Sequence, residues 1–393
     1  LAGNLDGTAP ASCNGVADGT ATVSATGGTT PYTFNIGTGD QATGDFTGLA
    51  DGDYTVTITD ANDCVTTVDL TITEPAVLAG NLDGTTPASC NGVLDGTATV
   101  SATGGTTPYT FNIGTGNQAT GDFNGLADGN YTVTITDANN CITTVGLTIT
   151  EPAAIVASIA IQADADCNGT ATGSATIAGA GGTAPYQFDI GGAQQATGDF
   201  TGLTATTYTA TVEDANGCIS TIPLVIGEPA PLAGNLDGTA PASCNGVADG
   251  TATVSATGGT TPYTFNIGTG DQATGDFTGL ADGDYTVTIT DANDCVTTVD
   301  LTITEPAVLA GNLDGTAPAS CNGVADGTAT VSATGGTTPY TFNIGTGDQA
   351  TGDFTGLADG DYTVTITDAN DCVTTVDLTI TEPAVLAGNL DGT

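Results

Sequence analysis

Apolar residues alternate with threonine, serine or aspartate along short segments of this chain. The alternation is clearest over residues 21–25, 54–58 and 68–72. A period of two puts every second side chain on the same face of an extended strand, so these segments predict strands with one buried face. Glycine pairs and Asp-Ala-Asn clusters separate the segments as turns, and no stretch combines a 3.6-residue period with helix caps. The pattern predicts an all-β protein.

Cysteines divide the chain into units of equal length. They are Cys13, Cys64, Cys90, Cys141, Cys167, Cys218, Cys244, Cys295, Cys321 and Cys372, five pairs with a spacing of 51 that recur every 77 residues. Self-similarity at a fixed period indicates a repeat architecture. We therefore predict five domains, residues 1–77, 78–154, 155–231, 232–308 and 309–385, with residues 386–393 opening a further repeat. We expect the chain to be an excerpt of a longer secreted array.

The five units differ in how far they have diverged. The first, fourth and fifth are identical, the second differs from them at nine positions, and the third is the most divergent. The residue type is unchanged in every unit at Cys13, Pro31, Tyr32, Phe34, Ile36, Asp45, Phe46, Leu49, Tyr54, Asp60, Asn62, Cys64, Glu74 and Pro75. This internal comparison shows which positions a unit can vary.

Each unit contains six or seven predicted short strands, enough for two sheets packed as an immunoglobulin-like (Ig-like) sandwich. The predicted core of the first unit is Val23, Tyr32, Phe34, Ile36, Phe46, Leu49, Tyr54, Val56, Ile58, Leu70 and Ile72. Tyr54 stands where a tyrosine corner is expected. In the third unit Pro223 replaces Asp69, which requires the last strand to lie at a sheet edge. The predicted fold is a tandem array of five Ig-like β-sandwich repeats of 77 residues.

The charge of the chain excludes several functions. It has 44 Asp and Glu residues but no Lys, Arg or His. Without cations it cannot bind nucleic acid or an anionic lipid surface through phosphates. It also lacks the imidazole and amine groups of most catalytic sites, and no apolar run approaches the roughly 20 residues that span a bilayer. We expect no enzyme, no nucleic-acid partner and no membrane insertion in this segment.

Several motifs of the unit resemble a known family. They are Cys13-Asn14-Gly15, residues 18–23, Gly27-Gly28, Pro31-Tyr32, residues 52–56, residues 59–62 and Cys64. Together they are similar to the SprB-type repeat of bacterial gliding-motility adhesins and, more distantly, to PKD and other Ig-like surface modules. The resemblance covers all five units. It implies a very long surface protein, exported by type IX secretion and displayed as filaments that contact substrates or other cells.

The cysteine pairs indicate disulfides rather than zinc, because the spacing is constant and histidine is absent. We favour a bridge within each repeat, of the Cys13–Cys64 type, which would close a loop of about 52 residues and contribute about 4 kcal/mol. In Ig topology, however, these two cysteines fall near opposite ends of the domain. A bridge across the junction, from Cys13 to Cys141 of the next repeat, is therefore the alternative. Free or intermolecular thiols are the third.

Carboxylates near the turns offer oxygen ligands for calcium. The candidates are Asp51, Asp53, Asp60, Asp63 and Glu74 with their repeat equivalents. Alternatively, Asp and Asn at these positions build turns by bonding their own backbone. Only Asp60 and Glu74 keep their type in every unit, so we favour diffuse condensation of cations over a dedicated Ca²⁺ cofactor. No other cofactor is expected.

These observations predict a structural and adhesive protein at the extracellular cell surface. We expect an extended stalk for contact with a surface, a polysaccharide or another cell. One alternative is the subunit of a homo-oligomeric filament or bundle of identical chains, which captures or attaches to other cells. Another is that the repeats themselves bind glycans.

Overall fold

The fold of residues 1–388 is described by a computed structural model, and residues 389–393 of the expected further repeat lie outside it. All regular structure in residues 1–388 is β-strand. That part of the chain accordingly holds no helix long and apolar enough to cross a membrane. The prediction of an all-β protein is confirmed.

The first repeat has seven strands and the others have six, within the predicted six or seven strands for each unit. The strands of the first repeat are β1 (Ala2–Ala9), β2 (Gly19–Thr26), β3 (Thr33–Asn35), β4 (Asp40–Gln41), β5 (Asp45–Leu49), β6 (Gly52–Thr59) and β7 (Val65–Ile72). Those of the second are β8 (Ala79–Thr86), β9 (Gly96–Thr103), β10 (Thr110–Asn112), β11 (Asp122–Leu126), β12 (Gly129–Thr136) and β13 (Ile142–Ile149). The third repeat has β14 (Val156–Ala163), β15 (Gly173–Ala180), β16 (Gln187–Asp189), β17 (Asp199–Leu203), β18 (Thr206–Glu213) and β19 (Ile219–Ile226).

The last two repeats have the same strands in the same order. The fourth has β20 (Ala233–Ala240), β21 (Gly250–Thr257), β22 (Thr264–Asn266), β23 (Asp276–Leu280), β24 (Gly283–Thr290) and β25 (Val296–Ile303). The fifth has β26 (Ala310–Ala317), β27 (Gly327–Thr334), β28 (Thr341–Asn343), β29 (Asp353–Leu357), β30 (Gly360–Thr367) and β31 (Val373–Ile380).

Two antiparallel sheets form each sandwich. In the first repeat one sheet has the order β1-β2-β5 and the other β4-β3-β6-β7. β7 pairs with β6 over its whole length, from Gly52 opposite Ile72 to Thr59 opposite Val65. Because β7 has no partner on its other side, it is an edge strand. Asp69 lies in this strand, so the edge position required for Pro223 is confirmed.

The chain divides into two compact units whose boundary passes through the third repeat. One unit comprises residues 1–161, 175–199 and 208–224, and the other residues 162–174, 200–207 and those from 225 onward. The first and second repeats lie wholly in one unit, and the fourth and fifth in the other. The five domain boundaries derived from the cysteine spacing stay a prediction.

The core lies between the two sheets of each repeat, where the sequence places it. In the first repeat the buried residues are Ala21, Val23, Phe34, Phe46, Leu49, Val56, Ile58, Val68, Leu70 and Ile72. Tyr32, Ile36 and Tyr54 are half-buried against them. The Tyr54 hydroxyl donates a hydrogen bond of 3.1 Å to the Ala50 carbonyl, which confirms the tyrosine corner.

One core contact explains a difference between the repeats. A Cβ atom on Gly3 would lie 2.5 Å from Cγ2 of Val68 and 2.7 Å from Cδ1 of Ile58. The third repeat carries Ala157 at the position of Gly3 and Val212 at the position of Ile58. Since valine lacks a Cδ1 atom, Val212 removes one of the two close contacts that a Cβ atom at this position would make, whereas Ile222 at the position of Val68 keeps a Cγ2 atom. All three positions that share this space in the core differ in the third repeat.

Candidate functional site at the repeat junctions

Disulfides connect each repeat to the next. The bonds are Cys13–Cys141, Cys90–Cys218, Cys167–Cys295 and Cys244–Cys372, each with a sequence separation of 128 and Cα atoms 5.7 to 5.8 Å apart. In each bond one cysteine comes from the loop between the first two strands of a repeat. The other comes from the turn between the last two strands of the following repeat. The bridge therefore fastens the junction between neighbouring repeats.

The favoured bridge within a repeat, Cys13–Cys64, is wrong. The loop that carries Cys13 is held at the end of β7, because the Ala11 N–H donates to the Thr73 carbonyl at 2.9 Å. Cys64 lies at the start of the same strand, which has eight residues and so extends about 25 Å. A disulfide requires Cα atoms within about 7 Å. Among the alternatives, the structure contains the junction bridge.

An asparagine beside each junction cysteine adds a hydrogen bond between repeats. The Asn139 side-chain amide donates to the Ser12 carbonyl of the preceding repeat at 2.9 Å and to Thr106 Oγ1 of its own repeat at 3.1 Å. The bond recurs at 2.9 to 3.0 Å in Asn216 to Ser89, Asn293 to Asp166 and Asn370 to Ser243. Since the acceptor is a backbone carbonyl, the bond survives the change from serine to Asp166.

The linker between repeats is also bonded to the following repeat. The Gly105 N–H donates to the Ala76 carbonyl at 2.7 Å. The equivalent bonds join Gly182 to Ala153, Gly259 to Ala230 and Gly336 to Ala307 at 2.7 to 2.8 Å. The glycine pair that the sequence indicates as a turn thus anchors the incoming chain. Each junction has three connections: the disulfide, the asparagine amide and this linker bond.

Glu74, a candidate calcium ligand, holds the loop that carries Cys13. Its Oε2 atom accepts from the Gly15 N–H at 2.6 Å, and its Oε1 atom accepts from the Asn14 side-chain amide. The same amide donates to the Pro75 carbonyl at 3.2 Å. The two bonds to the glutamate recur in the other four repeats. The sequence pattern does not predict this structural role of Asn14 and Gly15, although both residues are unchanged in every unit.

Asp60, the other unchanged candidate, builds the turn that carries Cys64. Its carboxylate is 5% exposed and accepts from the backbone N–H groups of Thr29, Asn62 and Cys64 at 2.9 to 3.0 Å. The Thr29 N–H, followed by those of Cys64 and Asn62, holds the pKa of Asp60 below its usual value of 3.8. The charged carboxylate therefore stabilises the turn.

The remaining calcium candidates do not converge on a site. Asp63 has a φ of 62° and its equivalent Asn140 has a φ of 67°. The third repeat has Gly217 there, with φ 79°. Asp, Asn and Gly are the residues that tolerate this conformation, so the variation follows the backbone and not a ligand. Asp53 accepts from Thr71 Oγ1 at 2.6 Å, and Asp51 is exposed.

Residues 1–388 contain no group of three or more His, Cys, Asp or Glu side chains arranged to hold a metal ion. The carboxylates whose pKa departs from the usual value are all shifted downward, as expected for groups that accept hydrogen bonds in turns and loops. Such carboxylates stay charged and do not supply a proton donor near neutral pH. The recesses beside the junction disulfides are open; one of about 310 Å³ is lined by Cys90, Asn91 and Cys218. The arrangement serves to hold repeats together.

Each complete repeat is a small two-sheet sandwich fastened to its neighbours, which places the chain in the class of tandem Ig-like repeat proteins. Residues 6–41, 83–118, 159–194, 237–272 and 314–349 match the SprB repeat. Each of the five units therefore contains one segment that matches the SprB repeat. The resemblance seen in the motifs of the unit is confirmed.

Two solved structures have low overall similarity to this chain. Three N-terminal domains of the bacteriophage RB49 highly immunogenic outer capsid protein are 14% identical, with a TM-score of 0.29 over 59% of this chain and 100% of that one. The surface layer protein SbsC, domains 1–6, is 14% identical, with a TM-score of 0.22 over 100% of this chain and 67% of that one. The fold assignment rests on the sheets described above. No curated protein sequence is significantly similar to this chain.

Proposed function

We propose that this chain is a structural region of an extracellular surface protein and acts as an extended stalk for contact with a surface or another cell. The observation that carries the proposal is the disulfide at each of the four junctions between the five repeats. A binding or catalytic array would need only folded domains. Covalent connections between successive domains are what a load-bearing array requires.

The junction chemistry suits exposure outside the cell. Disulfides persist in oxidising compartments, and each bridge over 128 residues contributes about 5 kcal/mol in the chain-entropy view. The chain also contains no Lys or Arg, so trypsin-like proteases have no cleavage site in it. Both features favour persistence at a cell surface. Export by type IX secretion and a role in gliding motility belong to the same proposal and rest on the family alone.

A bundle of identical chains is the second candidate. The first, fourth and fifth repeats have the same sequence, so any surface patch on one recurs on the others. Repeated weak contacts in register bind far more tightly than one contact. Cations condensed on the acidic surface, including calcium, would reduce the repulsion between chains. In either arrangement the contact partner is a cell surface or polysaccharide, and nothing in the family match points to catalysis.

Small-angle X-ray scattering of the purified chain tests the stalk. We expect the scattering of a rod under non-reducing conditions, and the profile of a compact globule would refute the proposal. Native mass measurement over a range of calcium concentrations separates the two candidates. A monomer at every concentration contradicts the bundle, and a stable oligomer supports it.

A further inference from the structure

Asparagine is followed by glycine seven times in the chain, and the structure holds these pairs in different ways. At such a pair asparagine readily loses its side-chain amide, because glycine has no side chain to hinder attack by its backbone nitrogen. One pair lies in β11, at Asn124-Gly125, and another in the turn before Cys218, at Asn216-Gly217. The other five directly follow a cysteine in the loop between the first two strands of a repeat and begin at Asn14, Asn91, Asn168, Asn245 and Asn322.

The loss of the amide has a defined chemistry. The backbone nitrogen of the glycine attacks Cγ of the asparagine, a C–N bond forms, and the side-chain nitrogen leaves as ammonia with the proton of the attacking N–H group. Water then opens the succinimide ring at either carbonyl and gives aspartate or isoaspartate. Negative charge develops first on the attacking nitrogen and then on the oxygen of the tetrahedral intermediate. A carboxylate beside these atoms therefore opposes the reaction.

In the second repeat a single carboxylate holds both reacting groups of Asn91-Gly92. The Gly92 N–H donates to Oε2 of Glu151 at 2.6 Å, and the Asn91 side-chain amide donates to Oε1 of the same glutamate. The amide also donates to the Pro152 carbonyl at 3.2 Å. Ring closure would have to break these bonds and place a negative nitrogen against the carboxylate. The chain has no Lys, Arg or His that could compensate the two charges.

The pair Asn124-Gly125 in the same repeat is similar except that no carboxylate holds it. Both asparagines are exposed, and the following glycines have φ values of 75° at Gly92 and 71° at Gly125. The Asn124 side-chain amide has no hydrogen-bond partner among residues 1–388. The pairing of β11 with β9 shifts between Phe123 and Leu126, so both residues of the pair lie in a bulge. No hydrogen bond of the amide opposes the rotation that ring closure needs.

The pair Asn216-Gly217 is held in a third way. Its amide donates to the Ser89 carbonyl at 2.9 Å and to Thr183 Oγ1 at 3.2 Å, and its glycine N–H donates to the Asp214 carbonyl at 3.0 Å. Ser89 belongs to the loop that carries Asn91. The bond from Asn216 to Ser89 therefore reports on whether that loop keeps its place.

We propose that the folded chain deamidates at Asn124, and that Glu151 and its equivalents protect the asparagine beside each junction cysteine from this reaction. The proposal concerns the chemical lifetime of the chain and does not rest on the proposed stalk. Deamidation of Asn91 would place a second carboxylate against Glu151 and remove the donor to the Pro152 carbonyl, which would loosen the loop that carries Cys90. The position of Asn124 is threonine in the other four repeats, so this bulge accepts a different side chain.

Mass spectrometry of peptides from the second and third repeats measures the reaction, because their sequences distinguish Asn91, Asn124 and Asn216. In the folded chain at mildly alkaline pH, Asn124 should convert to aspartate and isoaspartate about ten-fold faster than Asn91, since a hydrogen bond to a charged group is worth roughly that factor. In the reduced chain in denaturant the two rates should be similar. Asn124→Thr should nearly abolish the early gain in mass of the folded chain.

Glu151→Gln tests the protection, because it removes the negative charge and keeps one oxygen acceptor. The rate at Asn91 should rise about ten-fold, while the rates at Asn124 and Asn216 should not change. An unchanged rate at Asn91 would overturn the protection, and a parallel rise at Asn216 would show a loosened loop and count against the carboxylate. In the unchanged folded chain, equal rates at Asn91 and Asn124, or no reaction at Asn124, would also overturn the proposal.

Discussion

The four junction disulfides limit how far the chain can be stretched. Each bridge spans 128 residues, whereas the repeats advance by 77, so the loops that they close overlap along the chain. A pulling force applied at the two ends follows the shortest covalent route and leaves the bypassed segments without load. Reduction of the disulfides removes the bypass. The maximal extension should therefore depend strongly on the redox state.

The magnitude follows from the connectivity. The shortest route runs from Leu1 to Cys13, across to Cys141, on to Cys167, across to Cys295, back to Cys244, across to Cys372 and on to the C-terminus. It contains about 110 residues of backbone, or about 400 Å fully extended with its three bridges. The reduced chain, with 393 residues, extends about 1,350 Å. Oxidation should shorten the stretched chain about three-fold.

Single-molecule force spectroscopy with handles at both ends measures this contour length. Two single variants serve as a matched pair. With Cys295→Ser the length should stay at about 400 Å, because a route of equal length crosses from Cys90 to Cys218. With Cys141→Ser every route is longer by about 26 residues, which adds about 85 Å. The first variant tests the overlap of the loops, and the second shows that the loss of one bridge is detectable.

Bridges within the repeats would behave differently. Five Cys13–Cys64 bonds would leave a stretched length of about 500 Å, and the loss of any one of them would add about 170 Å. A gain of that size with Cys295→Ser would refute the connectivity described here. So would a contour length that does not change when the protein is reduced.

Hydrogen exchange in the second repeat, whose peptides are distinguishable, checks three further predictions. Asn140→Ala should destabilise the turn by about 1 kcal/mol, because alanine disfavours the positive φ, while Asn140→Gly should cost little. Gly80→Ala should lower the free energy of unfolding by about 1 to 3 kcal/mol, because a Cβ atom there would lie 2.5 Å from Cδ1 of Ile135. Ile135→Val removes that Cδ1 atom and should restore part of the lost stability. If the effects of the two substitutions simply add, the two side chains do not share one space. Burial raises the pKa of Asp137, but hydrogen bonds from three backbone N–H groups lower it by more, so that its pKa lies below the usual value of 3.8. The contribution of Asp137 to the stability of the turn is therefore complete above pH 3.8 and is lost as the pH falls further. Asp137→Asn should flatten that acid dependence, and an unchanged dependence would contradict it.

The strands and the core could be predicted because both depend on local alternation. Every residue expected in the core of the first repeat packs there. Tyr54 was placed correctly because its hydrogen bond reaches only to Ala50, four residues away. The short strand β4, with two residues, carries no periodic signal of its own.

The disulfide partners could not be predicted from spacing, since bridges within and between repeats give the same cysteine pattern. The choice depends on which end of β7 each loop occupies, and that is a property of the folded repeat. The internal comparison held a signal nevertheless. Asn14, Asp60, Asn62 and Glu74 keep their type in every unit, and all four hold a cysteine-bearing loop or contact the neighbouring repeat. Asp63 varies because it only has to adopt a positive φ.

The acidic composition has a consequence for any association between repeats. With no Lys, Arg or His in the chain, contacts between copies cannot include side-chain ion pairs, and the facing repeats carry charge of one sign. Raising the ionic strength from about 0.01 M to 0.15 M shortens the Debye length from about 30 Å to about 8 Å and so weakens this repulsion. The fraction of chains in the proposed bundle of identical copies, measured by sedimentation at a fixed protein concentration, should therefore rise with salt. A lower bundled fraction at higher salt would mean that attraction between opposite charges drives the contact, which this composition does not allow.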